Sequence, residues 1–478
     1  MKYLIYIIIL LSLLSCNKDF EEINTNPNAP NEVQSGLLLR QVIYNYGEEM
    51  SYEGFVAGNL LGQYFTMVDF NLFDRHNLSS PQLGGNPWPI IYSNLQDNEL
   101  ILQQARNNPS QAVFEGPALI LKAYMTAALT DIYGDVPYSE ALKGLDGIVT
   151  PTYDSQETIY TGTNGILENL DKGIAAIAGY QGSLPLEGDI LLGGDLAAWV
   201  RFANSLKVKY LMRISGKADV STTLQSVYDS RNYITTNEQN ATFDFTDGRP
   251  NSFRMQQLRD GDFNLYILSE TMEQILKSLN DPRIEVFFRP IGNDDTGTQY
   301  DGFLNGFDAS STSISISDYS LTGTIFREHT GDLDANFMTA WETHFLWAEA
   351  AEMGLIVADA QAHYEMGVNL AFDYWQTTMP ADYLTDAAAY GGNGANKLEQ
   401  IITQKWMANI INGYEGWIEY RRTGFPVLKP IAASLNNDLI PVRMPYPTDE
   451  AALNQVNYNA ATSDNQNSVN IGVWWDVD

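Results

Sequence analysis

Apolar residues recur at helical spacing through most of this chain, and the pattern then lapses for one long stretch in the middle. That contrast constrains the fold more than any other feature, because a segment with a 3.6-residue period must bury one stripe against a neighbouring helix. Trp88 to Ala105 carries Ile91, Leu95, Leu100 and Leu102 at near-helical intervals. Glu115 to Tyr133 aligns Ala118, Leu121, Met125 and Leu129, with Gly134 placed to end the helix. Asn164 to Ala178, and Asp195 to Ile214 with Asp195 as N-cap, continue the series. Further helices are expected at Ser269–Leu279, Asn336–Met353, Asp359–Trp375 and Asn396–Asn412. Between about 233 and 330 the text turns to Gly, Asp, Asn, Ser and Thr, and loops with short strands are expected, among them Ser311–Ser317 with its alternating Ile. The chain therefore reads as mainly α, with an irregular loop-rich half.

Two of these helices resemble a tetratricopeptide pair. Ala348, Ala360, Tyr364 and Gly367 match the small, small, aromatic, small frame of that repeat, although Ala351 stands where an aromatic is usual. The C-terminal stretch from Pro426, rich in Pro and Asn, is expected to wrap the surface.

The N-terminus carries a different kind of information. Leu4 to Leu14 is an apolar run too short to span a bilayer and of the length of a signal-peptide core. It ends at Ser15-Cys16, which resembles the site where a bacterial lipoprotein is cleaved and acylated. Cys16 is the only cysteine, so disulfides and cysteine-based zinc sites are excluded. Residues 1–15 then form a signal peptide, 16–35 a tether and 36–478 the folded part. The acidic run after Cys16 resembles a surface-export signal.

Charge narrows the partners. Asp and Glu total 59 against 27 Lys and Arg, a net charge of −32, so phosphate backbones are repelled and nucleic acid is not an expected partner. No phosphate-binding glycine loop, hydrolase elbow or H-E-x-x-H motif occurs. The carboxylate pairs Asp131/Asp135 and Glu415/Glu419 read as structural rather than catalytic, the second because Arg421 and Arg422 adjoin it. No cofactor or metal is expected. The turn Asn293–Gly297 has calcium-type side chains but lacks a full EF-hand loop.

Aromatic residues among amides and carboxylates are the remaining signal. Rings stack on the C–H faces of sugars while polar neighbours bond the hydroxyls. Two loops have that composition, and they supply the candidate ligand contacts: Asp69, Phe73, Arg75 and Trp88 in the first, Tyr300, Phe303 and Asn305 in the second.

Several phrases, in order along the chain, resemble the SusD/RagB family of outer-membrane nutrient-binding lipoproteins, and most closely its SusD-like subgroup. They are FEEINTNPNAP (Phe20–Pro30), TDIYGDVPYSEAL (Thr130–Leu142), the Asp195–Ser215 helix, GWIEYRRTGFPVL (Gly416–Leu428) and the tail Ile440–Ala461. The resemblance implies about four tetratricopeptide-like helix pairs with an irregular half packed on them. It also implies a palmitate-type lipid anchor at Cys16 on the outer face of the outer membrane. The partner it implies is a TonB-dependent barrel of the SusC type, over which the lipoprotein acts as a lid during polysaccharide utilisation. The expected ligand is a glycan or oligosaccharide. A peptide, as in the RagB branch, and a lipid-anchored glycoside hydrolase are the alternatives.

Overall fold

The computed structural model describes residues 33–79, 83–293, 296–311, 313–464 and 466–476. The signal peptide, Cys16, most of the tether and part of the Asn293–Gly297 turn lie outside the described residues. The longer helices are α1 (Ser35–Glu53), α2 (Pro87–Asn107), α3 (Glu115–Tyr133), α4 (Ile166–Gly179), α5 (Leu196–Arg213) and α6 (Ser221–Ser230). They continue with α7 (Glu270–Ser278), α8 (Ala340–Glu352), α9 (Ala360–Tyr374), α10 (Lys397–Ala408) and α11 (Glu415–Thr423). Helices α1–α2, α3–α4, α5–α6 and α8–α9 pack pairwise, with α10 against α8 and α11 against α10. The chain is thus mainly α with tetratricopeptide-like pairs, as its periodicity and phrases imply.

Local chemistry sets the helix ends. Asp195 Oδ1 accepts from Ala197 N at 2.8 Å, Ser269 Oγ from Met272 N at 3.0 Å and Asp359 Oδ1 from Ala362 N at 3.0 Å, each satisfying a donor that the first turn leaves free. Gly134 ends α3 at φ +83°, a conformation that costs a residue with a Cβ. Gly367 lets α9 approach α8 closely, since a Cβ there would meet the Phe345 ring at 2.8 Å. The stretch Pro109–Tyr133 is long and apolar enough to cross a membrane, but 72% of its most apolar window is buried within the fold.

Strands are short and paired in twos: β1 (Phe65–Met67) with β5 (Tyr266–Leu268), β2 (Val136–Pro137) with β3 (Tyr153–Asp154), and β4 (Ala241–Asp244) with β6 (Asp334–Met338). Two expectations are corrected. Asn336–Met338 belongs to strand β6, not to the following helix, because Ala335 and Phe337 alternate into the core and Thr339 caps α8 instead. Ser311–Ser317 forms no strand among the described residues: its alternating Ile finds no partner edge, and Ile316 begins a single 3-10 turn.

The scaffold converges on buried charge. Arg213 on α5 bonds Asp131 of α3 (3.2 Å) and Glu415 and Glu419 of α11 (2.7 and 3.0 Å). Lys209 pairs with Glu342 and Glu415, Lys405 with Glu419, and Arg422 with Glu349 and Glu419. Arg421 reaches Asp476 at 3.0 Å and donates to the Asp131 carbonyl at 2.6 Å. The three phrases around Asp131, Arg213 and Glu419 thus meet in one network. Arg213, Lys405 and Arg422 hold the Glu419 carboxyl well below its ordinary range. Burial pushes Glu342 the other way.

Candidate ligand-binding surface

The two aromatic loops, distant in sequence, are stitched into one surface. Strand β1 delivers the first loop, residues 68–79, beside the second, residues 300–308. Asp74 is the knot. It is buried and accepts from Thr66 Oγ1 (2.9 Å), Met67 N (3.3 Å), Asn305 Nδ2 (2.7 Å) and Gly306 N (2.8 Å). Burial nevertheless raises its pKa to about 6. Asn305 Nδ2 also donates to Phe65 O, and Asn71 Nδ2 to Phe307 O, both at 2.7 Å. A third segment, residues 431–439, closes the patch: Ala432 N and Ala433 N donate to Asn305 O and Gly306 O, and Leu435 N to Arg75 O.

This geometry divides the candidate residues. Arg75 joins the loops, donating to Ala433 O at 2.9 Å and pairing with Asp308 at 3.2 Å. Phe303 is half-buried, its ring 5.0 Å from Phe307 and 4.8 Å from Tyr319, with Val68 in the same small cluster. Asp69 is exposed and accepts from Phe70 N at 2.8 Å. Tyr300 is half-buried, and burial pushes its phenol up to about 12.

Three candidates are corrected by their burial. Trp88 lies in the core, with Tyr92, Tyr133 and Tyr446 at 4.9, 5.0 and 5.9 Å, so its ring has no free face. Phe73 is covered by Gly85, where any Cβ would meet its ring. Asn305 is buried and spends its amide donors within the fold.

Phe70 is the ring that composition did not single out. It is 59% exposed, and its backbone takes φ +50°, a left-handed conformation costing a bulky L-residue about 1–2 kcal/mol. It stands on the turn between Val68, which packs in the Phe307 cluster, and Asn71, which donates to Phe307 O. A strained turn holding a large ring in water is a feature that folding alone does not call for. Nothing in the local sequence distinguishes Phe70 from Phe73.

His76, also at φ +65°, anchors the end of the first loop through Nδ1 and the Leu439 carbonyl at 3.1 Å. Burial lowers its pKa from 6.5 to about 4. The neutral form is therefore favoured by folding, and its contribution is complete above the ordinary value and lost as the pH falls towards 4. At pH 5 the loss is about 2 kcal/mol. Asn tolerates the left-handed backbone, so His76→Asn removes this titration. Urea denaturation at pH 7 and 5 should show the wild type losing about 2 kcal/mol more than the variant. Asp74 titrates in the opposite sense in both proteins and cancels from the comparison.

Other titratable clusters are structurally engaged. Asp131 accepts from Tyr160 and Trp475 as well as pairing with Arg213, and Asp135 accepts from Gln156 N. His363 meets His344 (Nδ1 to Nδ1, 2.9 Å) and Tyr228. Among the described residues no group of three or more His, Cys, Asp or Glu is placed to hold a metal ion.

Comparison with known proteins agrees with this architecture. A SusD homologue from Bacteroides fragilis superposes with a TM-score of 0.78 at 21% identity, covering 93% of this chain and 99% of that one. One from Bacteroides uniformis gives 0.75 at 25% identity, covering 92% and 99%. A chitin-binding SusD homologue from Flavobacterium johnsoniae gives 0.75 at 24% identity, covering 93% and 98%. Among curated protein sequences none matches. The pattern of the SusD-like family, described as starch-binding and associating with the outer membrane, matches residues 27–447, and the chain belongs to that family.

Proposed function

We propose that this protein captures a glycan at the cell surface through the patch formed by residues 68–79, 300–308 and 431–439, with Tyr319 beside Phe303. It then hands the ligand to a SusC-type TonB-dependent barrel, over which it serves as a lid. The acylated Cys16 tethers it to the outer membrane. It binds its ligand and does not cleave it. The observation that carries the reading is Phe70: an exposed ring held by a strained turn, next to Asp69 in the chain, on a loop that Val68 and Asn71 tie to the Phe303, Phe307 and Tyr319 cluster. An aromatic face with carboxylate and guanidinium groups around it suits a neutral polyhydroxylated ligand. Family membership and the chitin-binding relative support the same ligand class.

The test is a glycan and peptide screen followed by calorimetry. Phe70→Ala should weaken the selected glycan about tenfold or more, the loss expected for one well-stacked ring. Its melting temperature should not fall. Binding of peptides alone, or glycan binding indifferent to Phe70, Phe303 and Tyr319, would overturn the reading.

A further inference from the structure

A second place in the fold is built like a ligand site, and nothing in the reading above uses it. Between α2, α3 and the loop that follows β2 lies a cavity of about 460 Å³, within the range of small-ligand sites. None of residues 68–79, 300–308 and 431–439 lines it. Tyr138, Ser139, Ala141 and Leu142 of the phrase TDIYGDVPYSEAL line it. The ion network accounts for Asp131 at the head of that phrase, but for none of these four residues.

The walls are mixed in a particular way. Tyr92 and Tyr138 contribute rings whose hydroxyls are already committed, Tyr92 to Pro137 O at 2.6 Å and Tyr138 to Asn164 O. Lys122 Nζ pairs with Glu99 at 3.0 Å and lies 5.9 Å from the centre of the Tyr138 ring. That pair uses one carboxylate oxygen of Glu99 and one of three ammonium protons of Lys122. Gln103 adds an exposed amide at the rim. Beneath them Thr126 lines the cavity with a buried hydroxyl that has no hydrogen-bond partner among the described residues.

The rim is also fixed in advance. Asp154 accepts from Tyr138 N, Ser139 N and Ser139 Oγ, at 3.1, 2.8 and 2.8 Å. Glu140 accepts from Thr152 N and Oγ1, both at 2.8 Å. Such a wall loses little entropy when a ligand enters.

We infer that this cavity is a second binding site, for one or two units of a neutral sugar. Acids and bases alternate on its walls, Glu99 and Asp146 against Arg106, Lys122 and Lys143, and two of the bases are paired, Lys122 with Glu99 and Arg106 with Glu115. That balance disfavours an ion, while alternating donors and acceptors beside ring faces suit a polyol. The inference rests on the glycan reading for its ligand class but not for its location.

Calorimetry and saturation-transfer NMR on the intact protein test it, with glucose, N-acetylglucosamine, maltose and chitobiose as probes and galacturonate as the charged comparison. One of the neutral sugars should bind to Phe70→Ala as well as to wild type. Lys122→Met, which keeps the stem over Tyr138, should weaken that binding about tenfold. Gln103→Ala at the exposed rim, a substitution that does not threaten folding, should weaken it severalfold. If every neutral sugar that binds wild type is lost in Phe70→Ala, or binding ignores both cavity variants, the second site is refuted and the glycan reading stands. If galacturonate binds more tightly than the neutral sugars, the ligand class is refuted. If no sugar binds wild type, both readings fall.

Discussion

Glu419→Gln is expected to destabilise the protein by about 3–5 kcal/mol, the cost of removing one partner from a buried ion cluster. The carboxylate meets Arg213 at 3.0 Å, Lys405 at 2.8 Å and Arg422 at 2.7 Å, and all four side chains are nearly inaccessible to water. Neutralising it removes the one carboxylate that Arg213, Lys405 and Arg422 share, so each buried cation loses a charge-assisted bond although Asp131, Glu415 and Glu349 stay beside them. Folded domains are stable by only about 5–15 kcal/mol, so this single change removes a large share. Urea midpoints measure it. Asp171→Asn, which breaks a pair between an exposed carboxylate and Lys207, is the control and should leave the midpoint nearly where it was. The same charge fixes a pH response. Because Glu419 and Glu415 are held below the ordinary range, their stabilisation is present at neutral pH and lost as the solution is acidified through their folded values. A midpoint for Glu419→Gln equal to wild type would mean that the network contributes packing alone.

The second large effect concerns binding and stability together. Asp74→Asn should cost about 2–3 kcal/mol, because an amide cannot accept at both oxygens and turns an N–H₂ towards donors it must face. Two of the four bonds that Asp74 accepts, from Asn305 Nδ2 and Gly306 N, join the first loop to the second, and two tie it to strand β1, so the rings above should lose their fixed separation. Glycan affinity should fall more than tenfold even where the protein remains folded. Phe70→Ala gives the contrasting result, with affinity lost and stability kept. Near-wild-type binding by a folded Asp74→Asn protein would show that the ligand does not depend on the registry of these two loops.

How much of this was legible in the sequence depends on how local the cause is. The bounds of Glu115–Tyr133 follow from periodicity and one glycine, and Asp195 and Asp359 act as caps within their own first turns. Strand β6 was read as helix because its partner, β4, lies in a distant segment that no local pattern announces. The same holds for the site. Composition pointed to the two loops, and they do meet. It could not tell Phe70 from Phe73 or Trp88, since irregular loops turn side chains in or out according to hydrogen bonds with remote residues, not by any period. His363 illustrates the point on a regular helix: its partners, His344 and Tyr228, come from other elements.

The stitching of the loop patch has one more consequence. Besides the bonds to Asp74, several of its cross-links run from a side-chain donor to a main-chain carbonyl: Asn71 to Phe307 O, Asn305 to Phe65 O, Arg75 to Ala433 O and Gln63 to Lys429 O. A carbonyl survives any substitution at its own residue. The socket is therefore written in Asp74 and a handful of donors, and the identities of the exposed Phe70, Leu304 and Ile316 are left unconstrained by it. Such a chassis can be refaced for a different cargo by exchanging the outward side chains, while the chain beneath keeps its path.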